Sequence, residues 1–183
     1  MSWMRVSFLL VLVPAVALAD ASTPPKPPKP PAELAVGDRS VTVALEADDK
    51  IHVRVKGGGE LLLDPAGRAY VGRDQWNVRA ELAPSVAPVP LLKLSSRPEA
   101  CSDYWDIYVS VVDGVPRQAL ALYGVADPPA MQASTVKFAR DGSAVVTTTT
   151  SEDDKVVRTR RTRYRFDGRV YAAVPKRAAD RSK

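Results

Sequence analysis

The sequence predicts an all-β protein, an antiparallel β-sandwich with a partly closed β-barrel as the alternative, and three observations carry that reading. Apolar and polar residues alternate with period two along most of the chain, while the three-to-four-residue spacing of an amphipathic helix is almost absent. Asp-Gly pairs at 113–114, 141–142 and 167–168 separate such runs, which is hairpin chemistry. The runs number about ten and are uneven in length, which suits packed sheets better than one regular barrel.

Residues 1–19 read as a signal peptide. Arg5 supplies a positive start, Val6–Leu18 is apolar apart from Ser7 and Pro14, and Ala17-Leu18-Ala19 fits the small-x-small cleavage rule. The run is too short for a membrane span and carries a proline, so cleavage after Ala19 and export to the periplasm or outside are expected, with no transmembrane segment in the mature chain. Residues 20–35 read as a disordered linker. Its core, 24–31, is six prolines and two lysines, a composition that favours extended polyproline II and forms neither helix nor sheet.

The single β-domain is expected over 36–175, ahead of a basic disordered tail at 176–183. Val41, Val43 and Leu45, then Ile51, Val53 and Val55, flank Asp48-Asp49 as a hairpin with one apolar face. Gly57-Gly58-Gly59 is a turn, and Leu61–Leu63 and Ala69–Val71 are short strands around Asp64-Pro65-Ala66-Gly67. Trp76, Val78, Ala80 and Leu82 alternate with polar neighbours. Pro84, Pro88 and Pro90 then interrupt the chain before Leu91–Leu94.

The two-residue turn at Asp113-Gly114 pairs Val112 with Val115. Carried through without interruption, that register sets Trp105 against Leu122 and Ile107 against Leu120 on one face. It puts Tyr104, Asp106, Tyr108 and Tyr123 on the other. Asp127-Pro128-Pro129-Ala130 is expected to start one helical turn. Thr135–Ala139 and Ala144–Thr150 form the next hairpin, followed by a long strand at 156–166. For the last turn a three-residue loop is expected, pairing Phe166 with Val170 and Tyr164 with Ala172, because the two-residue alternative would bury Arg161, Arg163 and Arg165.

Catalysis finds little support. The chain of 183 residues has one histidine and one cysteine, which removes an intramolecular disulfide framework and argues against zinc. His52 lies on the polar side of its strand and reads as a solvated residue. Cys101, at the entrance to a strand, reads as a small buried thiol. No nucleophile elbow, Ser-x-x-Lys, phosphate loop or calcium-loop spacing is present. The acidic pairs in turns need a cleft before they can act as acid and base. The sequence therefore favours a non-catalytic protein without cofactor or metal, with a periplasmic hydrolase or hydrolase inhibitor as the alternative and a structural envelope protein without ligand as a further one.

Two features point to binding. From 155 to 183 there are 11 basic residues against 2 acidic ones, whereas 20–154 has 14 basic against 19 acidic. Within the basic stretch, Arg158, Arg160, Arg161, Arg163 and Arg165 are anion-binding candidates. Arg161, Arg163 and Arg165 share one strand face, joined by Tyr171 in the expected register. In an exported protein their ligand would be an anionic envelope polymer or an acidic protein rather than nucleic acid. The competing expectation is an internal ladder with Glu152–Asp154. Tyr104, Tyr108 and Tyr123, on one expected face, are candidates for stacking on carbohydrate rings.

Overall fold

A computed structural model describes residues 31–46, 50–64, 78–83, 87–96, 103–125, 130–153 and 155–175. The chain is all-β, and its two antiparallel sheets are consistent with a β-sandwich. The smaller sheet contains β1 (Ala32–Val36), β2 (Arg39–Leu45), β3 (Ile51–Val55) and β4 (Glu60–Leu63), in that order. The larger contains β5 (Val78–Leu82), β6 (Leu91–Ser96), β7 (Asp103–Val112), β8 (Val115–Val125), β9 (Ala130–Phe138), β10 (Ser143–Glu152), β11 (Lys155–Phe166) and β12 (Tyr171–Ala173). Within each sheet, sequence neighbours are sheet neighbours, the chain changes sheet between β4 and β5, and neither sheet closes into a barrel. Among the described residues no helix is long and apolar enough to cross a membrane.

β1 begins inside the segment expected to be linker. Leu34 and Val36 restore period-two alternation immediately after Pro31, and Leu34 pairs with Val41 while Val36 reaches the core. The β2–β3 hairpin forms with the expected apolar face. Val41 pairs with Val55, Val43 with Val53 and Leu45 with Ile51. Val41, Val43, Ile51, Val53 and Val55 pack with Leu63 against Leu92, Leu94, Trp105, Ile107 and Val109 of the larger sheet. That is the sandwich core, and its driving force is removal of aliphatic surface from water.

The β7–β8 hairpin departs from its expected register at one place. Asp113 (φ 53°) and Gly114 (φ 74°) both take positive φ, the geometry of a two-residue primed turn. Pairing then follows the turn as far as Val109 with Gln118, after which Ala119 is an extra residue and Tyr108 pairs with Leu120. This β-bulge reverses the facing of everything beyond it in β8. Trp105 lies opposite Tyr123 and Ile107 opposite Ala121 on the sandwich side. Tyr108 lies opposite Leu120 and Asp106 opposite Leu122 on the far side. The expected pairing of Trp105 with Leu122 is therefore corrected.

The far side is a second core. Leu91, Tyr108, Ala119, Leu120 and Leu122 pack with Ala144, Val146 and Tyr171, while Phe138, Tyr164 and Phe166 are partly buried around them. The Tyr108 and Phe138 rings meet edge-on at 5.0 Å although β8 lies between their strands in sheet order. The Ser110 hydroxyl donates to the Arg169 carbonyl at 2.5 Å. The larger sheet thus bends at β8/β9, where the register holds at Val125 with Gln132, and lays β9–β12 over β6–β8. β7 is covered on both faces, and every residue from Trp105 to Ser110 is buried.

The last hairpin also differs from expectation. The connection is four residues long, not three: Phe166 pairs with Tyr171, Arg165 with Ala172 and Tyr164 with Ala173. The Asp167 carboxylate closes this turn by accepting the Arg169 and Val170 amides, both at 2.8 Å. Tyr171 consequently joins the second core and tilts against Phe138 and Phe166. It does not extend the arginine face. The expected strand at 69–71, the helical turn at 127–130 and Cys101 lie wholly or mostly outside the described residues.

Candidate functional site

β11 reads Lys-Val-Val-Arg-Thr-Arg-Arg-Thr-Arg-Tyr-Arg-Phe, a strand by virtue of its β-branched and aromatic members. It is anchored at one end only. Tyr164 and Phe166 are half-buried against the second core, whereas residues 155–161 are exposed on both faces. Alternation places Arg161, Arg163 and Arg165 on the outer face, and successive members of such a row stand roughly 6–7 Å apart. Their β10 partners are Thr147, Val145 and Ser143, and Lys137 lies beyond Val145 in the same cross-strand row.

Arg158 and Arg160 belong to the opposite face. Arg160 pairs with Thr148 and Arg158 with Thr150, continuing the line of Thr162 and Tyr164 past the end of the core. A bulge between Thr150 and Ser151 in this ladder leaves Val157 without a partner. The five arginines therefore form a two-sided basic strand, three on one face and two on the other.

None of them has an ion pair or side-chain hydrogen bond among the described residues. Glu152 and Asp153 are exposed and do not reach the guanidinium groups, so the described part of the expected ladder is absent; Asp154 lies outside the described residues. Asp141 is the acid that feels one of them. Its carboxyl is held below the ordinary value first by the Ser143 hydroxyl and amide, with the Arg165 charge a lesser cause.

The tyrosines are dispersed rather than shared. Tyr108 is buried, and burial, with Asp106 and Glu81 nearby, pushes its hydroxyl up to about 12. Tyr104 lies over Gly124, its hydroxyl accepting the Ser134 amide at 3.2 Å. Tyr123 faces the other way, beside Trp105. The common three-ring face expected from the uninterrupted register does not exist.

Two charged clusters lay outside the sequence expectation. His52 is buried rather than solvated, because Glu46 and Glu60 fold over it. Its Nδ1 is 2.6 Å from Glu60 Oε1 and its Nε2 is 3.6 Å from Glu46 Oε2. Arg54 pairs with Glu46 and, through Nε, with Glu60 at 2.8 Å. The Glu60 carboxyl is lowered chiefly by the His52 hydrogen bond. Where a hydrolase would seat a nucleophile at Nε2, this cluster places a carboxylate.

In the second cluster, Lys93 Nζ lies 3.3 Å from Glu81 Oε1 and 3.6 Å from Asp106 Oδ2, while the buried Asp106 Oδ1 has no hydrogen-bond partner among the described residues. The Ala119 bulge, which no residue pattern announces, is what turns Tyr123 away from the face of Tyr104 and Tyr108 and brings Leu120 and Leu122 to it. Among the described residues no group of three or more His, Cys, Asp or Glu could hold a metal ion.

The fold and the site define a two-sheet all-β protein with an exposed basic strand. Comparison with protein-family models, with curated proteins and with solved structures gives no match.

Proposed function

We propose that the chain is an exported, non-catalytic β-domain of the bacterial envelope that binds an anionic polymer or an acidic protein through β11. Cleavage after Ala19 frees it, and the Pro/Lys segment spaces the domain from its attachment or surroundings. The observation that carries this reading is the exposure of Arg158, Arg160, Arg161, Arg163 and Arg165 with no acidic partner among the described residues. Guanidinium groups left in water keep their five donors for carboxylate, phosphate or sulfate oxygens.

Retention of the mature chain on heparin-like and lipopolysaccharide matrices tests the reading. Elution should need less salt as arginines are removed, because each contact is screened within about 8 Å at physiological ionic strength. Replacing Arg161, Arg163 and Arg165 together by Gln should abolish retention while moving the thermal midpoint by only a few degrees. Unchanged retention in that triple variant would remove these residues from binding, and retention that survives while the midpoint drops sharply would assign them a structural role.

A further inference from the structure

We propose that the outer edge of β11 accepts an extended acidic segment of another protein as an added strand. The inference rests on the reading of β11 as the binding element and narrows its partner to a polypeptide. The Val174 amide donates to the Arg163 carbonyl at 2.8 Å, so Arg163 turns its backbone groups toward β12. The Phe166 amide donates to Gly142 at 2.8 Å, on the β10 side. Strand alternation then points the N–H and C=O of Arg161 and Thr159 away from β10, toward the same edge as Arg163.

β12 is too short to cover them. It pairs with Tyr164–Phe166, and the Val174 amide on Arg163 is the last bond to β11 among the described residues, which end at Pro175. β10 pairs with one edge of 155–162, and among the described residues no strand lies along the other edge. An edge of this kind templates strand addition, in which backbone hydrogen bonds supply affinity and alternate side chains supply selectivity.

Charge decides the occupant. A second copy of β11 would set arginine against arginine, and residues 176–183 carry four basic residues and one acidic one. Like charges directly opposite each other destabilise a strand pair, and opposite charges favour it. A carboxylate of an added strand would meet Arg161 on one face, and others Arg158 and Arg160 on the other. Val156 and Val157, 63% and 53% exposed, offer apolar contact at the far end.

Fluorescence anisotropy with a labelled ten-residue peptide of alternating Glu and Val or Thr, titrated with the mature chain, tests the proposal. A second peptide of the same sequence is N-methylated at two adjacent central residues, which blocks both of its edges. Thr159→Pro removes one outward amide from the protein and keeps every arginine, a change that edge strands tolerate. The unmodified peptide should bind, and N-methylation or Thr159→Pro should each weaken it at least tenfold, with heparin retention of Thr159→Pro unchanged. Equal binding of both peptides overturns strand addition and leaves charge alone as the attraction. Absence of peptide binding alongside intact, arginine-dependent heparin retention also overturns it, while the broader reading of β11 stands.

Discussion

The Tyr104 ring lies so close over Gly124 that a Cβ on the glycine would come within 2.1 Å of Tyr104 Cζ. The contact sits where β9 leaves β8, and the Tyr104 hydroxyl takes the Ser134 amide at 3.2 Å in place of a neighbouring strand's carbonyl. Glycine is required at 124 for lack of space, since its φ is not among the positive ones. One missing side chain thus lets an aromatic residue pin the bend that folds the larger sheet back on itself.

Gly124→Ala should therefore destabilise the protein by roughly 1–3 kcal/mol, the range for overpacking and for a buried donor left unpaired. Urea unfolding measures the loss. Near-UV circular dichroism should change with it, because the tyrosine must move. A neutral result would show that the bend is held elsewhere.

Much of this fold was legible because turn chemistry and alternation agreed. The β2–β3 hairpin and the Asp113-Gly114 turn both follow from local residues whose signals coincide. The failures have local physical causes. Ala119 is an ordinary strand residue, so nothing marks it as the extra one, and a single inserted residue reverses Leu120 to Tyr123. The Asp167 turn gains a fourth residue because its carboxylate satisfies two amides at once. The burial of His52 needs Glu46 and Glu60, which arrive from beyond its own strand. Alternation within one strand cannot report that.

Trp105 tests the corrected register. It is 4% exposed in the sandwich core, opposite Tyr123. Trp105→Ala should cost about 3–5 kcal/mol in unfolding free energy. Asp106→Ala, nearly neutral if Asp106 faced solvent, should instead be measurable, because it empties a buried site and strips Lys93 of one acidic neighbour. Equal urea midpoints for Asp106→Ala and the parent would return Asp106 to the surface and contradict the far-side placement.

Acid should weaken the two hairpin turns. The Asp141 carboxyl is lowered mainly by the Ser143 hydroxyl and amide, and that of Asp167 by the amides of Val170 and Arg169, both from an ordinary 3.8. Groups depressed on folding contribute stability that is complete above their unfolded values and is lost as pH falls through the folded ones. The urea midpoint should hold from neutrality to about pH 5 and then decline. Replacing both by Asn keeps an acceptor but removes the titration, so the acid limb of the double variant should be shallower. Superimposable limbs would remove these carboxylates from the acid response.

The second core carries a polar atom it does not use. Tyr171 is 6% exposed, its ring tilts against Phe138 and Phe166 at 5.3 and 5.1 Å, and its buried hydroxyl has no hydrogen-bond partner among the described residues. Burial also raises the tyrosine's pKa, since the phenolate would be still harder to accommodate. Burying an unpaired hydroxyl costs roughly 1–3 kcal/mol by protein mutational measures. Tyr171→Phe keeps the ring and deletes the orphan, so it should leave stability unchanged or raise it by about 1 kcal/mol. Tyr171→Ala removes the ring as well and should cost about 3–5 kcal/mol. Chemical denaturation of the two variants separates the contributions, because the phenylalanine differs from the parent by one oxygen. A marked loss in Tyr171→Phe would mean that the hydroxyl has a partner, which would place an ordered water or another polar group inside the layer between β7 and β12.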